Sequence, residues 1–263
     1  MSWLLGIWRL LMLAAHCVRG LLIIAFLFPR LDARRREMRV MQWANATLEK
    51  LGVTLITVGQ PANAGPLMVV SNHSSWLDIT ALHASLYCRF IAKKELLEWP
   101  LIGMMAAQSG TLFLERRSNR DALRVVHDIA KFLQNGDVVS VFPEGTTSDG
   151  TSLLPFHGNL LQAAISTGTP IQPVCIRYWN SQLDRPSVVS NYVGDEHVFR
   201  SLWRTLTASH LSVQVIFGEP QSAVGRSRRT WATELHATVL EMQKVRPSST
   251  AGANTHSRPS GPT

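Results

Sequence analysis

Residues 67–79 read LMVVSNHSSWLDI, and this stretch decides the architecture. Leu67 to Val70 form an unbroken apolar run. A run without polar alternation is a strand covered on both faces, as in a parallel sheet flanked by helices. The run stops at a polar turn containing His73, and Asp78 follows five residues later. Ligands of open α/β sheets bind beyond the C-terminal ends of strands, so this corner is also the first candidate site.

Further β-rich runs occur at 53–58 (VTLITV), 89–92 (RFIA), 111–114 (TLFL), 138–142 (VVSVF), 171–178 (IQPVCIRY) and 211–217 (LSVQVIF). Helical patterns lie between several of them. In the clearest, Asn119 to Gln134, Leu123, Val126, Ile129, Ala130 and Leu133 share a face, and Gly136 stands where a C-terminal stop belongs. Another helix is expected from Glu95 to Gln108. This alternation predicts an α/β fold with a largely parallel central sheet flanked by helices, over residues 52–246. Three polar stretches fall at strand ends: SNHSSWLD, ERRSNR and PEGTTSDG.

Ahead of the domain, Trp3 to Phe28 is apolar and long enough to span a bilayer. Arg9, His16 and Arg19 interrupt it within roughly 80° of one another on a helix. A polar stripe on an apolar helix suits a half-buried interfacial segment better than an isolated span. Five Arg against one Asp and one Glu follow between Arg30 and Arg39. Such a cluster belongs on the cytoplasmic face, beside anionic head groups. With the amphipathic pattern at Met38 to Leu51, residues 1–51 read as membrane-associated helices. Residues 247–263, poor in apolar side chains, read as a disordered tail. The net charge of +8 favours anionic partners. Nucleic acid is not expected among them, because no recognition motif is present and the strongest basic cluster adjoins the apolar front end. Cys17, Cys88 and Cys175 lack metal-ligand spacing; they suit buried thiols in a reducing compartment, and no metal is expected.

The His73–Asp78 pair alone is a weak signal, since either residue also serves as an ordinary loop residue. On a continuous helix the two side chains would lie roughly 140° apart, so a hydrogen bond between them requires a turn of the chain. An Asp bonded to one ring nitrogen fixes the tautomer and leaves the other nitrogen as a base. The substrate's own hydroxyl then serves as nucleophile, and attack on a thioester is the economical chemistry. Arg116 and Arg117 follow TLFL, and the fork of an arginine suits a phosphate, although paired surface charges read the same way. Lys93 and Lys94 are either substrate-attracting cations or solvated residues at a helix start. Pro143, Glu144, Gly145 and Thr146 make a rigid corner after a strand. His157, a lone histidine among apolar residues, reads as packing.

Taken together and in order, NHSSWLD, AKKELL, GTLFLERR, FPEGTT and PIQPV resemble the 1-acylglycerol-3-phosphate acyltransferase family of glycerolipid enzymes, over roughly Pro66 to Arg177. The resemblance implies a membrane-associated O-acyltransferase at the cytoplasmic face of the cell membrane. It would transfer an acyl chain from acyl-CoA or acyl-carrier protein to a lysolipid hydroxyl, with no resident cofactor. Carried over, His73 is the general base and Asp78 its orienting partner. Arg116 holds the acceptor phosphate, Lys94 and its neighbour Lys93 match a family lysine, and Glu144, Gly145 and Thr146 shape the acceptor pocket. Two positions depart from the pattern. Thr147 stands where an arginine usually follows Pro-Glu-Gly-Thr, and His157 stands where a lysine follows Phe. Thr147 motivates a second acceptor class, such as lyso-ornithine lipid. A lipid-binding protein without turnover is a third reading, disfavoured by the intact His73 and Asp78.

Overall fold

The computed structural model describes residues 2–62, 65–114, 119–194 and 196–245. The chain opens with α1 (Ser2–Leu22), prolonged by a π-helical turn and a 3-10 turn to Arg30, and α2 (Ala33–Leu51). Strands β1 (Val53–Val58) and β2 (Leu67–Ser71) precede α3 (Leu77–Ser85) and β3 (Arg89–Lys93). Then come α4 (Pro100–Gln108), β4 (Leu112–Leu114), α5 (Asn119–Gln134) and β5 (Val138–Val141). The second half holds α6 (Leu161–Thr167), β6 (Ile171–Asn180), the short β7 (Arg185–Pro186), α7 (Val198–Thr207), β8 (Leu211–Phe217) and α8 (Arg228–Lys244).

The strands form one sheet in the order β1-β8-β6-β2-β5-β3-β4, with β7 paired to β6. All pairings are parallel except those of β6 with β8 and with β7. β2 lies at the centre, and its side chains supply both cores. Leu67 and Val69 join Leu48 and Leu51 of α2, Leu77 and Leu82 of α3 and Leu206 of α7 on one face. Met68 and Val70 join Ile129 and Leu133 of α5, Leu161 of α6 and Trp231 of α8 on the other. Each such fully buried side chain contributes about 1.5–3 kcal/mol, which explains why this strand tolerates no polar alternation. The first core draws on side chains ahead of residue 52, because α2 lies directly on the sheet.

Two helical expectations shift. Leu123 points to solvent, and the buried row of α5 is Val125, Ile129 and Leu133 at i, i+4 and i+8. The pattern at 95–108 divides into a 3-10 turn (Lys94–Glu98) and α4, because Trp99 precedes Pro100 and is extended at φ −86°, ψ 102°.

α1 turns Arg9 and His16 of the expected polar stripe against the protein, whereas Arg19 is exposed, and most of the helix's large apolar side chains lie outside. Arg9 donates to the carbonyls of Leu206 and Ala208 at 3.0 and 2.6 Å, satisfying the end of α7. His16 stacks on Trp43 and meets the Trp43 carbonyl at 3.2 Å. Arg9 passes over Gly52, the left-handed cap of α2 (φ 73°), where a Cβ would collide with the guanidinium. Leu4, Trp3, Trp8 and Phe26 remain 75, 69, 60 and 66% exposed.

Candidate active site

The corner after β2 is held by backbone-directed hydrogen bonds. Where the ladder to β6 ends, the Asn72 side chain continues it. Its Nδ2 donates to the Ile176 carbonyl and its Oδ1 accepts from the Ile176 amide, both at 2.8 Å. The chain then turns through residues 73–76, and α3 begins at Leu77. Asp78, in the first turn of α3, reaches back over the loop. Its Oδ2 accepts from the Ser74 and Ser75 amides at 2.8 and 2.9 Å, as the acidic member of a capping box does. The same oxygen meets His73 Nδ1 at 2.8 Å. The turn that the His–Asp spacing requires is therefore present.

Asp78 is fully buried, and its Oδ1 accepts from the Tyr178 hydroxyl at 2.6 Å. With the carboxylate as acceptor, Nδ1 of His73 carries the proton and Nε2 presents its lone pair. Among the described residues Nε2 has no hydrogen-bond partner. The ring stacks on Phe142 at 4.0 Å with a 12° interplanar angle and stays 18% exposed. Burial, followed by the charge and hydrogen bond of Asp78, holds the Tyr178 hydroxyl well above the ordinary phenol range. A phenol so placed remains a donor.

β2, β5, β3 and β4 are adjacent and parallel, so their C-terminal ends share one edge of the sheet. Glu144, expected in the acceptor pocket, is buried and turned toward the corner. Its Oε1 accepts from the His73 amide at 2.6 Å and its Oε2 from the Leu154 amide at 3.0 Å. Burial pushes its carboxyl up, against the opposing pull of those two amides. The next residues, Gly145 (φ 72°) and Thr146, are exposed, and Thr147 is half-buried. Ser148 returns to the corner, donating from its amide to the His73 carbonyl at 2.8 Å. Lys93 ends β3 and Lys94 opens the 3-10 turn, both exposed on the same sheet edge. Arg116 and Arg117 lie outside the described residues. His157, expected to pack inside, is exposed and lines a polar cleft of about 350 Å³ with Arg228 and Arg229. Asn72, Phe142 and Tyr178 were not singled out from sequence. The only signal for Tyr178 was a polar-tipped residue in the inward row Val174, Ile176, Tyr178.

A model of the Acyltransferase family matches residues 49–177. The 1-acyl-sn-glycerol-3-phosphate acyltransferase of Neisseria meningitidis serogroup B is 37% identical over 184 residues, covering 69% of this chain and 71% of that one. The lyso-ornithine lipid O-acyltransferase of Pseudomonas aeruginosa is 33% identical over 211 residues, covering 80% and 81%. The crystal structure of a 1-acyl-sn-glycerophosphate acyltransferase from Thermotoga maritima shares the fold, with a TM-score of 0.70 over 94% of this chain and 98% of that one at 22% identity. The chain is thus an acyltransferase built on a mixed, mostly parallel sheet. It belongs to the 1-acyl-sn-glycerol-3-phosphate acyltransferase family, whose members here include enzymes for more than one lysolipid.

Proposed function

We propose that the enzyme transfers a fatty acyl chain from acyl-CoA or acyl-carrier protein to the free hydroxyl of 1-acylglycerol-3-phosphate, giving phosphatidic acid. His73 is the general base and Asp78 its orienting partner. The carrying observation is the 2.8 Å contact between His73 Nδ1 and an Asp78 carboxylate anchored by two backbone amides and a phenol.

Nε2 takes the proton of the acceptor hydroxyl as its oxygen attacks the thioester carbon. The resulting oxyanion collapses, the carbon–sulfur bond breaks, and the imidazolium returns the proton to the departing thiolate. Asp78 keeps the ring in the reacting tautomer and stabilises the imidazolium between the two half-steps. The donor supplies the acyl group and the acceptor supplies the nucleophile, so this chemistry needs no resident cofactor. Lys93, Lys94 and Arg116 are assigned to the phosphates of the substrates. Exposed Gly145 and Thr146 are assigned to the acceptor side, and Glu144 shapes the pocket by holding the His73 loop. The outward apolar face of α1, beside the arginines at 30–39, supports seating on the cytoplasmic face of the cell membrane.

A second acceptor, lyso-ornithine lipid, is favoured by two observations. Thr147 replaces the cation expected after Pro-Glu-Gly-Thr, and a relative matching 80% of the chain is named for that lipid. The test is incubation of the purified enzyme with a panel of lysolipids and both donor types, read by mass spectrometry. Phosphatidic acid as the dominant product supports the first reading. Acylated ornithine lipid with no phosphatidic acid replaces it with the second.

A further inference from the structure

We propose that Tyr178 is a positioning residue for acyl transfer, its hydroxyl fixing Asp78 Oδ1 so that Oδ2 stays aimed at His73. The inference rests on the reading of His73 as the base. Tyr178 closes the inward-facing row of β6 after Val174 and Ile176, and all three are buried in one core. Phenylalanine would fill that core as well as tyrosine does. Only the hydroxyl distinguishes the two, and a buried hydroxyl is costly without a partner. Here it finds one at 2.6 Å, the oxygen of Asp78 that His73 does not use.

The carboxylate divides its bonds unevenly. Oδ2 has three donors: His73 Nδ1 and the amides of Ser74 and Ser75. Oδ1 has Tyr178, and no other donor to it is found among the described residues. Without that hydroxyl, Oδ1 is a bare, buried acceptor. An under-satisfied carboxylate holds a neighbouring proton more tightly, and the neighbouring proton is that of the His73 ring. The imidazole then stays protonated to higher pH and is unavailable as a base. The register is not free to adjust, because the Asn72 side chain clamps Ile176, two residues before Tyr178.

Glu144, behind the loop, is a further charged group that interacts with Asp78 and His73. Its carboxylate is committed to two backbone amides and cannot replace the phenol. The loop ahead of α3 is tied to α7 and to the segment before it by neutral groups: the Ser75 hydroxyl donates to the Ser190 carbonyl at 2.5 Å, and the Trp76 indole donates to the Ser201 hydroxyl of α7 at 3.2 Å. Tyr178 does not touch the reacting atoms; it acts through Asp78.

The test is kcat/KM against pH for full-length Tyr178→Phe, using the lysolipid that the wild-type enzyme acylates fastest. The acid limb should move to higher pH by roughly half to one unit, lowering the rate roughly 3- to 10-fold at pH values on that limb. The acceptor KM should be unchanged. In an Asp78→Asn background, Tyr178→Phe should cost nothing further, because the hydroxyl works only through that carboxylate. A profile superimposable on wild type, with only a lower Tm, would overturn the proposal, as would losses that add across the two sites. If Tyr178→Phe fails to fold, 3-fluorotyrosine at position 178, a stronger donor of nearly the same shape, should move the limb to lower pH. An unmoved limb there also overturns it. His73→Ala separates the two readings. If it retains near-normal rate, the base assignment fails. If it is inactive while the Tyr178 profiles stay unmoved, only the present inference fails.

Discussion

α1 and α3 are both rich in apolar residues, and each carries one buried histidine and one charge turned toward another element. Only the structure separates their uses. In α1, Arg9 closes the carbonyl end of α7 and His16 rests on Trp43, so these two groups bind the helix to the domain. Its large side chains Trp3, Leu4, Trp8 and Leu11 are left facing outward. In α3, Asp78 serves a partly exposed imidazole at a strand end, while His83 lies among the rings of Tyr87 and Phe90. A half-buried charge that ends on backbone carbonyls, as Arg9 does, is scaffold. A buried charge that ends on a histidine whose other ring nitrogen has no partner among the described residues is the arrangement that the proposed chemistry uses.

The contrast breaks most severely at Asp78. Asp78→Asn places an amide where three donors converge and no longer fixes the ring tautomer. A fall in kcat of about 10²–10⁴ is expected, with the circular-dichroism spectrum retained. Loss of less than tenfold in a single-turnover assay would put Asp78 with Arg9, as scaffold.

The next effect concerns the histidine that α3 buries without a carbonyl partner. Burial lowers His83 from 6.5 to about 4. The unfolded chain therefore takes up the proton first as the pH falls. The stability associated with neutral His83 is full above pH 6.5 and is lost between there and about pH 4. The loss amounts to about 3 kcal/mol at roughly 1.36 kcal/mol per unit. His83→Phe should remove that part of the acid sensitivity. Urea unfolding at neutral and acid pH measures it, and parallel losses in variant and wild type would refute it.

The smallest effect is on α1. Trp8→Ser with Leu11→Ser removes apolar surface from its outward face and leaves Arg9 and His16 in place. Binding to anionic vesicles should weaken roughly tenfold per side chain, at about 25 cal/mol per Å² of apolar surface. Flotation with unchanged partition would mean that this face does not meet lipid.

The fold was legible where one physical requirement dominated. β2 must be apolar on both faces because helices cover both, and Leu67 to Val70 announce it. The interrupted helix at residues 3–28 also announced two faces, but nothing in its spacing said that Arg9 and His16 meet protein while Arg19 stays exposed. That depends on α7 and Trp43, remote in sequence. Of the candidate site, the His73–Asp78 contact could be anticipated because the two are five residues apart, and the strand-end placement of Lys93 and Glu144 because Lys93 is last in β3 and Glu144 lies just past β5. Tyr178 could not, because its value lies in a bond across 100 residues. The turned-in carboxylate of Glu144 was hidden for the same reason: its partners are amides, which no side-chain motif reports.

The measurement that bears most directly on this account is the transfer rate of His73→Ala under saturating donor and acceptor. Asp78 stays anchored by the Ser74 and Ser75 amides and Tyr178 in that variant, so the corner should persist and the fold should hold. The account predicts a loss of about 10²–10⁴ in kcat, with vesicle binding unchanged. Near-normal turnover by a folded, membrane-bound His73→Ala enzyme would contradict it.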